Sequence, residues 1–477
     1  MYGALPHRSE MIPRGDDRIA SFRSDTLVEG DPDLVYRARD LGDLKEILKF
    51  GHVKKIPITI AGNQTSLTGS SIAFGGLLIW MGFRARLLSI EKNRTSNRME
   101  ATAEPGVILG SFQKSVDEAG YFYPPDPTSR FEVQLGGTVG TNASGEDGLL
   151  YGSTRDYIRR LKILKADGTE LLLERTRPFK GGHKGRGGYC LGGERIDTFI
   201  GSEGTLGLIT EVTVDLLPRS KPFFLAWAFF PDFDSALDFI VTVRTDRHVK
   251  PRSMELLDQK SLKIVAAQEN APAAASSGGG VVTFKQEYAD EAERDRLFGE
   301  WLRLIEVVLK GKGRLDLLDQ ILVADDPVSK ERLRRLRHAV PSSVNEEVSR
   351  YRRHGGGKIS TDWWVPVAKI QKMMEGVKKE SHELGLRYLA YAHFGEGHPH
   401  INYVARNRDE MERARKLLVH QCRRAVKLGG GVAGEHGLGK LYRHLLKIQW
   451  SSAEIRKMRE IKKEFDPHQI LGRGNIF

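Results

Sequence analysis

Two cysteines, Cys190 and Cys422, are all that a chain of 477 residues carries. So few thiols exclude a disulfide framework and an all-cysteine iron–sulfur cluster within the chain, and they point to a reducing, cytoplasmic setting. Long apolar runs are missing as well. The longest aromatic-apolar run, FFLAWAFF at 223 to 230, is far too short to cross a bilayer as a helix, and after Pro222 it reads as a buried strand. The opening MYGALPHRSEMIPRGDDRIA has no apolar stretch of the secretory kind. No GxGxxG opens a helix after the first strand and no GxxxxGK[ST] occurs, which disfavours a Rossmann site and removes a P-loop. Histidine is absent from 53 to 182.

What is present suits a globular protein of two or three domains, with 40% hydrophobic and 29% charged residues. The formal charge of +12 favours anionic partners, from small acids to anionic lipid. Much of the excess lies in RTRPFKGGHKGRGG (175 to 188) and ERLRRLRH (331 to 338), where aromatics do not interleave with the charges. Neither stretch resembles a nucleic-acid module, so both read as solvated faces or flexible loop, and no nucleic-acid partner is expected. Peripheral contact with the inner face of the membrane and a homodimer remain open expectations.

Residues 33 to 61 read as strand, helix and strand, with Asp40 capping the helix. GGLLIWM and MEATA follow as strands, and Leu109, Phe112, Val116 and Ala119 then step at helical spacing. RRLKILKADGTELLL is a hairpin turning at Asp167-Gly168, and 206 to 218 closes this half as a strand. From Phe223 strands and helices alternate without a nucleotide-binding glycine fingerprint, which suggests an antiparallel α+β domain. APAAASSGGG (271 to 280) reads as a flexible surface loop, 326 to 340 as a helical arm, and the last 70 residues as mostly helical.

Four glycine- and hydroxyl-rich turns crowd the first half: AGNQTSLTGS (61 to 70), PPDPTS (124 to 129), LGGTVGTNASG (135 to 145) and GSEGTLGLITEV (201 to 212). Glycine lets backbone amides approach a ligand, and clustered N–H groups with hydroxyls bind pyrophosphate without lysine. In the second half, HFGEGHPHINYV (393 to 404) reads as strand, turn and strand, so that His393 and His400 flank the turn and converge. Two imidazoles are an incomplete metal site. The bland alternative is an ordinary polar hairpin.

The four turns, in this order, resemble the flavin domain of the vanillyl-alcohol-oxidase type of FAD proteins. They are most similar to the branch of D-lactate dehydrogenases, D-2-hydroxyglutarate dehydrogenases and the glycolate oxidase D subunit. HFGEGHPHIN is similar to that branch's HxGDGNxHxN, GGGVAGEHGLGK (429 to 440) to its GEHGIG, and FDPHQILGRGNIF to its DPxxxLNPGKIF. The resemblance implies an α+β protein with a two-subdomain FAD-binding fold (1 to 220), an antiparallel-sheet substrate or cap domain (221 to 425) and a helical C-terminal segment returning to the FAD domain (426 to 477).

It implies that Gly62, Asn63, Gln64, Thr65, Ser66, Leu67, Thr68 and Gly69, within a stretch continuing to Ser70, wrap the FAD pyrophosphate. Pro125, Asp126, Pro127, Thr128, Gly136, Gly137, Thr138, Thr141, Asn142 and Gly145 line the isoalloxazine and ribityl side. Gly204, Gly207 and Ile209 hold the adenine end, and Gly152 and Glu203 are counted with these. Covalent members of the wider family attach FAD through a histidine in the first loop; Gln64 and its neighbours offer none, so FAD is expected to be non-covalent. Glu435 looks like the third metal ligand beside His393 and His400, and His436 looks like the catalytic base. Such a set matches a zinc site with an open position, and iron or manganese would also use it. Arg337 and Lys358 lie where the branch places its substrate-binding cations, with Arg334 and Arg335 as alternatives to Arg337, and Asn402 closes the histidine motif. The sequence departs from the branch at AGNQ, at Glu396 and His398 in place of aspartate and asparagine, and at Gly472 and Asn475; His398 reads as a turn residue.

The resulting expectation is FAD-dependent, metal-assisted oxidation of a small D-2-hydroxy acid to the 2-oxo acid, with electrons passed to a quinone, an electron-transfer flavoprotein or another subunit. Its rivals are a flavin-dependent ether-lipid (alkylglycerone-phosphate) synthase and a non-catalytic basic flavin-fold binding protein.

Overall fold

The computed structural model describes residues 10–25, 27–182 and 184–477; residues 1–9 of the N-terminal reading and His183 of the basic loop lie outside them. The chain divides into two units, the first comprising 1–145, 152–220 and 433–477 and the second 146–151 and 221–432.

In the first unit, β1 (Glu10–Pro13), β2 (Leu34–Arg37), β3 (Ile58–Ala61) and β4 (Leu77–Trp80) form a sheet in the order β1-β2-β4-β3. Both β2 and β3 run parallel to β4. The helix Leu41–Lys54 makes the crossover that parallel strands require. Asp40 starts it by accepting from the Asp43 N–H at 2.8 Å, and Leu44, Ile47, Leu48 and Gly51 are buried along one stripe.

The strands that follow are β5 (Leu87–Lys92), β6 (Met99–Ala103), β7 (Tyr121–Phe122), β8 (Ile158–Leu164), β9 (Glu170–Glu174), β10 (Leu208–Asp215) and β11 (Leu217–Pro218). Five of them make a second sheet in the order β5-β6-β10-β8-β9, and β7 pairs with β11. Between β8 and β9 the chain turns at Asp167-Gly168, where Gly168 takes φ +81°.

The second unit is built on seven strands: β12 (Phe223–Phe230), β13 (Ser253–Asp258), β14 (Gly280–Glu287), β15 (Leu322–Ala324), β16 (Gly355–Ser360), β17 (Tyr388–Ala392) and β18 (His400–Asn407). Their order is β15-β12-β14-β13-β17-β18-β16, and every pairing is antiparallel. Trp227, Leu257, Tyr391 and Val404 of the sheet share one core with Leu333, Leu336, Val340, Val344 and Val348 of the helix Pro327–Ser349. Burying each large side chain of this kind contributes roughly 1.5–3 kcal/mol.

Two elements differ from the sequence reading. The helical arm expected to stop near 340 runs on to Ser349, straight through Pro341. The apolar stripe continues past the proline through Val344 and Val348, so packing outweighs the N–H that Pro341 cannot give to the Arg337 carbonyl four residues back. APAAASSGGG is not a plain surface loop: Ala274–Ser277 is a short helix whose Ala274 and Ala275 enter the core. Among the described residues, no helix is long and apolar enough to cross a membrane.

Candidate active site

The four glycine-rich turns are stitched together within the first unit. Asn63 Nδ2 donates to the Glu132 carbonyl at 2.9 Å and Gln134 Nε2 to Asn63 Oδ1 at 3.1 Å, tying the first turn to the chain that enters the third. The second and third approach so closely that a Cβ at Gly145 would collide with the Asp126 carbonyl. The third and fourth are joined by Gly201 N to Val139 O at 2.9 Å and Glu203 N to Gly140 O at 2.8 Å. Gln64, at φ +54°, turns its amide inward, donating to the carbonyls of Phe22 (3.0 Å) and Ser71 (3.2 Å). Its side chain braces the loop. Gln134 Oε1 is buried with no hydrogen-bond partner among the described residues. An unsatisfied acceptor among converging glycine turns fits a cradle for a dinucleotide cofactor such as FAD.

The C-terminal segment is fastened to the same turns. Glu203 accepts from Leu438 N at 2.8 Å and Gly439 N at 2.6 Å, one bond to each carboxylate oxygen. Lys440 Nζ donates to Asn475 Oδ1 at 2.9 Å, and Asn475 Nδ2 donates to the carbonyls of Ser70 (2.8 Å) and Glu203 (2.9 Å). This clasp carries Glu435 and His436: Ser144 Oγ donates to Glu435 Oε2 at 3.1 Å, and His436 Nε2 lies 3.5 Å from Glu435 Oε1. Glu203, expected as a cofactor contact, thus spends its carboxylate on the backbone of the tail, where it satisfies two amide N–H groups.

Burial pushes the Glu203 carboxyl up to about 7, against the two backbone hydrogen bonds and the nearby Lys440. The folded chain therefore holds this proton more tightly than the unfolded one, whose ordinary value is 4.5. The stability involved is fully present below that value and is lost as pH rises through about 7, by roughly 3 kcal/mol at most. The melting temperature of the wild type should accordingly fall more steeply between pH 5 and about 7.5 than that of Glu203→Gln. Parallel curves for the two proteins would show that Glu203 does not titrate in this window.

In the second unit, β17 and β18 pair with Tyr391 opposite His400, and His393 stands just past the end of β17. Ala392 holds φ +81°, rare for a residue with a Cβ, and a Cβ at Gly397 would collide with the Val365 carbonyl. This tight connection brings three imidazoles together: ring centroids lie 5.5 Å apart for His393 and His400, 5.0 Å for His398 and His400, and 5.9 Å for His393 and His398. Asp362, His398 and His400 offer ligand atoms all within 4.8 Å of one another. His400 Nδ1 is 3.1 Å from the Thr361 carbonyl, which only accepts, so Nδ1 carries the hydrogen and Nε2 carries the lone pair. His393 Nδ1 faces a carboxylate oxygen, Glu255 Oε1, at 3.2 Å, the arrangement that orients a metal-ligating histidine. His398 Nε2 is 3.1 Å from Asp362 Oδ1. Imidazoles with a carboxylate fit a divalent ion of the zinc, manganese or iron type.

Arg337 grips the same Glu255 with two parallel bonds, Nε to Oε2 at 2.7 Å and Nη2 to Oε1 at 2.9 Å. Burial alone would raise the Glu255 carboxyl, but the Arg337 charge and His393 hold it well below its ordinary value. Arg334 and Arg335 turn instead to Glu331, near the surface. Lys358 Nζ donates to Asn345 Oδ1 at 2.6 Å, and burial lowers its pKa. Asn402 is buried on β18 and donates to the His400 carbonyl at 3.2 Å.

His393, His400, Arg337, Lys358 and Asn402 thus lie in one unit and the cofactor turns with Glu435 and His436 in the other; in the second unit the close group of ligand atoms is that of Asp362, His398 and His400, and His393 is not part of it. The structure also adds residues that the sequence pattern does not single out. His398, read as a turn residue, is fully buried and stands with Asp362 and His400 in the candidate ligand group. The basic stretches are not uniformly solvated: Arg175 is buried on Asp197 with Nη2 to Oδ1 at 2.6 Å, and Arg337, mostly covered, is paired with the buried Glu255. Glu255 has one legible signal, a lone carboxylate inside the apolar run SMELL.

The chain belongs to the family of FAD-linked oxidases. The family's C-terminal domain model matches residues 219–476, an FAD binding domain model matches residues 32–174, and the chain is an FAD-linked oxidoreductase. Among curated proteins it is 29% identical to the glycolate oxidase subunit GlcD of Bacillus subtilis, over 96% of this chain and 92% of that one. It is 26% identical to a D-lactate dehydrogenase of Anaerostipes hadrus (97% and 94% covered) and 24% identical to a D-2-hydroxyglutarate dehydrogenase of Stutzerimonas stutzeri (94% and 91%). A solved alkyldihydroxyacetonephosphate synthase shares the fold, with a TM-score of 0.67 at 16% identity over 93% of this chain and 76% of that one.

Proposed function

We propose that the chain oxidises a small D-2-hydroxy acid to the 2-oxo acid, with non-covalent FAD and a divalent metal, and passes the electrons to an external acceptor. One observation carries the reading: the Arg337 guanidinium fork and the His393 imidazole meet at a single buried carboxylate, Glu255. A cation beside metal donors is what the carboxylate and hydroxyl of a 2-hydroxy acid require. When bound, a divalent metal lowers the pKa of a hydroxyl in contact with it, and FAD takes up a hydride.

The chain's own residues do the rest. Arg337 binds the substrate carboxylate through the guanidinium edge that Glu255 leaves over, and Lys358 and Asn402 add polar contacts. His393 and His400 offer Nε2 to the metal, and Glu435 is assigned the third ligand position on the resemblance of GEHG to the family motif. His436, the next residue, is assigned the hydroxyl proton on the same ground. Both cysteines are free, Cys422 is buried, and two thiols cannot build a cluster, which supports an acceptor outside the chain: a quinone, an electron-transfer flavoprotein or another subunit.

Anaerobic titration with paired D- and L-2-hydroxy acids tests the reading. At least one D-acid should bleach the flavin band while its L-enantiomer does not. A flavin that stays oxidised with every acid overturns the reading. Acid precipitation should leave the yellow chromophore in the supernatant with the mass of FAD; colour kept in the pellet would mean a covalent link, and the mass of FMN would remove the pyrophosphate role of the turns.

A further inference from the structure

We propose that Glu255 is a positioning residue that locks the substrate-carboxylate anchor and a metal-ligating histidine into one geometry. The proposal deepens the function above and rests on it, since it takes Arg337 as the anchor and His393 as a ligand.

Glu255 sits in the middle of β13, where every residue is buried. The pairing of β13 with β17 runs through Leu256 opposite Ala392, and continuing that antiparallel register sets Glu255 beside His393. The carboxylate is used on both oxygens. Oε1 receives Arg337 Nη2 at 2.9 Å and faces His393 Nδ1 at 3.2 Å, while Oε2 receives Arg337 Nε at 2.7 Å. Two consequences follow from this sharing. The guanidinium is held in one plane with its remaining edge directed away from Glu255. The imidazole is set with Nδ1 toward that carboxylate oxygen, 3.2 Å away, so that Nε2 is the atom assigned to the metal; partners of this kind are worth about 10–100-fold in metal affinity. An amide in place of the carboxylate has one oxygen and no charge, and its NH2 would face a donor of either Arg337 or His393, so it cannot keep all three contacts.

The test compares Glu255→Gln and Arg337→Met with the wild-type holoenzyme, reading zinc affinity by competition with a chelator, the KM for the reducing hydroxy acid, and FAD content. Glu255→Gln should weaken zinc binding about 10–100-fold and also raise KM, with FAD retained. Arg337→Met should raise KM and lower zinc affinity less than Glu255→Gln does, because the carboxylate oxygen that faces His393 is still there. A purely structural carboxylate would lower the melting temperature without moving zinc affinity and KM together. If Glu255→Gln fails to fold because Arg337 is left buried without its partner, the double variant Glu255→Gln/Arg337→Met removes the stranded charge. Its zinc affinity, set against Arg337→Met alone, separates the same two outcomes. Unchanged zinc affinity and KM in the Glu255 variants overturn the inference while the function stands. A wild type that binds no zinc, manganese or iron overturns both.

Discussion

His436→Ala is expected to lower kcat by about 10²–10⁴-fold while FAD and metal stay bound, the range that removing a positioned general base produces. The backbone around this residue is held independently of its ring. Gly437 takes φ +76°, and Leu438 and Gly439 give their N–H groups to Glu203. Truncating the imidazole therefore leaves the clasp and the carboxylate of Glu435 in place. His436 is also less enclosed than Glu435, with its side chain 28% exposed against 12%, as suits a group that exchanges a proton with a ligand. The measurement is stopped-flow flavin reduction, with FAD read by absorbance and metal by elemental analysis on the same sample. Retention of the rate within about tenfold would move the proton to another group. Loss of metal in this variant would make His436 a ligand instead.

Most of the first unit is legible in the sequence because its signals are local. Asp40 before an apolar stripe, the Asp167-Gly168 turn and the glycine-rich turns each state their conformation within a few residues. What is not legible depends on partners far along the chain. Glu203 reads as a member of a glycine turn, and only the fold shows its carboxylate on Leu438 and Gly439. His398 reads as a turn residue because it follows Gly397, but the tight packing of that glycine buries the ring beside Asp362. Arg337 cannot be told from Arg334 and Arg335 in a basic run; helical phase decides it, since its two neighbours share Glu331 near the surface while Arg337 reaches the sheet. The local signal of helix Pro327–Ser349 ends early because a proline weakens it, whereas the stripe of Val340, Val344 and Val348 that overrides the proline is a matter of tertiary packing.

Removing the metal with a chelator is expected to abolish flavin reduction by substrate and leave FAD in place, because the cofactor turns and the histidines are built from different stretches of chain. Zinc, manganese or cobalt should restore the rate to differing extents, as their preferred geometries differ. The histidines should not contribute equally. His400 presents Nε2 with its Nδ1 settled on the Thr361 carbonyl, and it belongs to the close group with Asp362 and His398. His400→Ala should therefore lose the metal outright. His393→Ala and Glu435→Gln should lose it as well, the first by removing an imidazole oriented by Glu255 and the second by removing the negative charge that two neutral histidines need. His398 already commits Nε2 to Asp362, so His398→Asn should weaken binding by about tenfold or less, the effect of losing a supporting contact. Metal content and chelator competition on the four variants give the order directly. If His398→Asn loses the metal and His393→Ala keeps it, the ion belongs to Asp362, His398 and His400, and His393 is an oriented neighbour. If demetallated wild type reduces its flavin at the full rate, the ion has no part in the oxidation and the histidine turn is a structural element of the sheet.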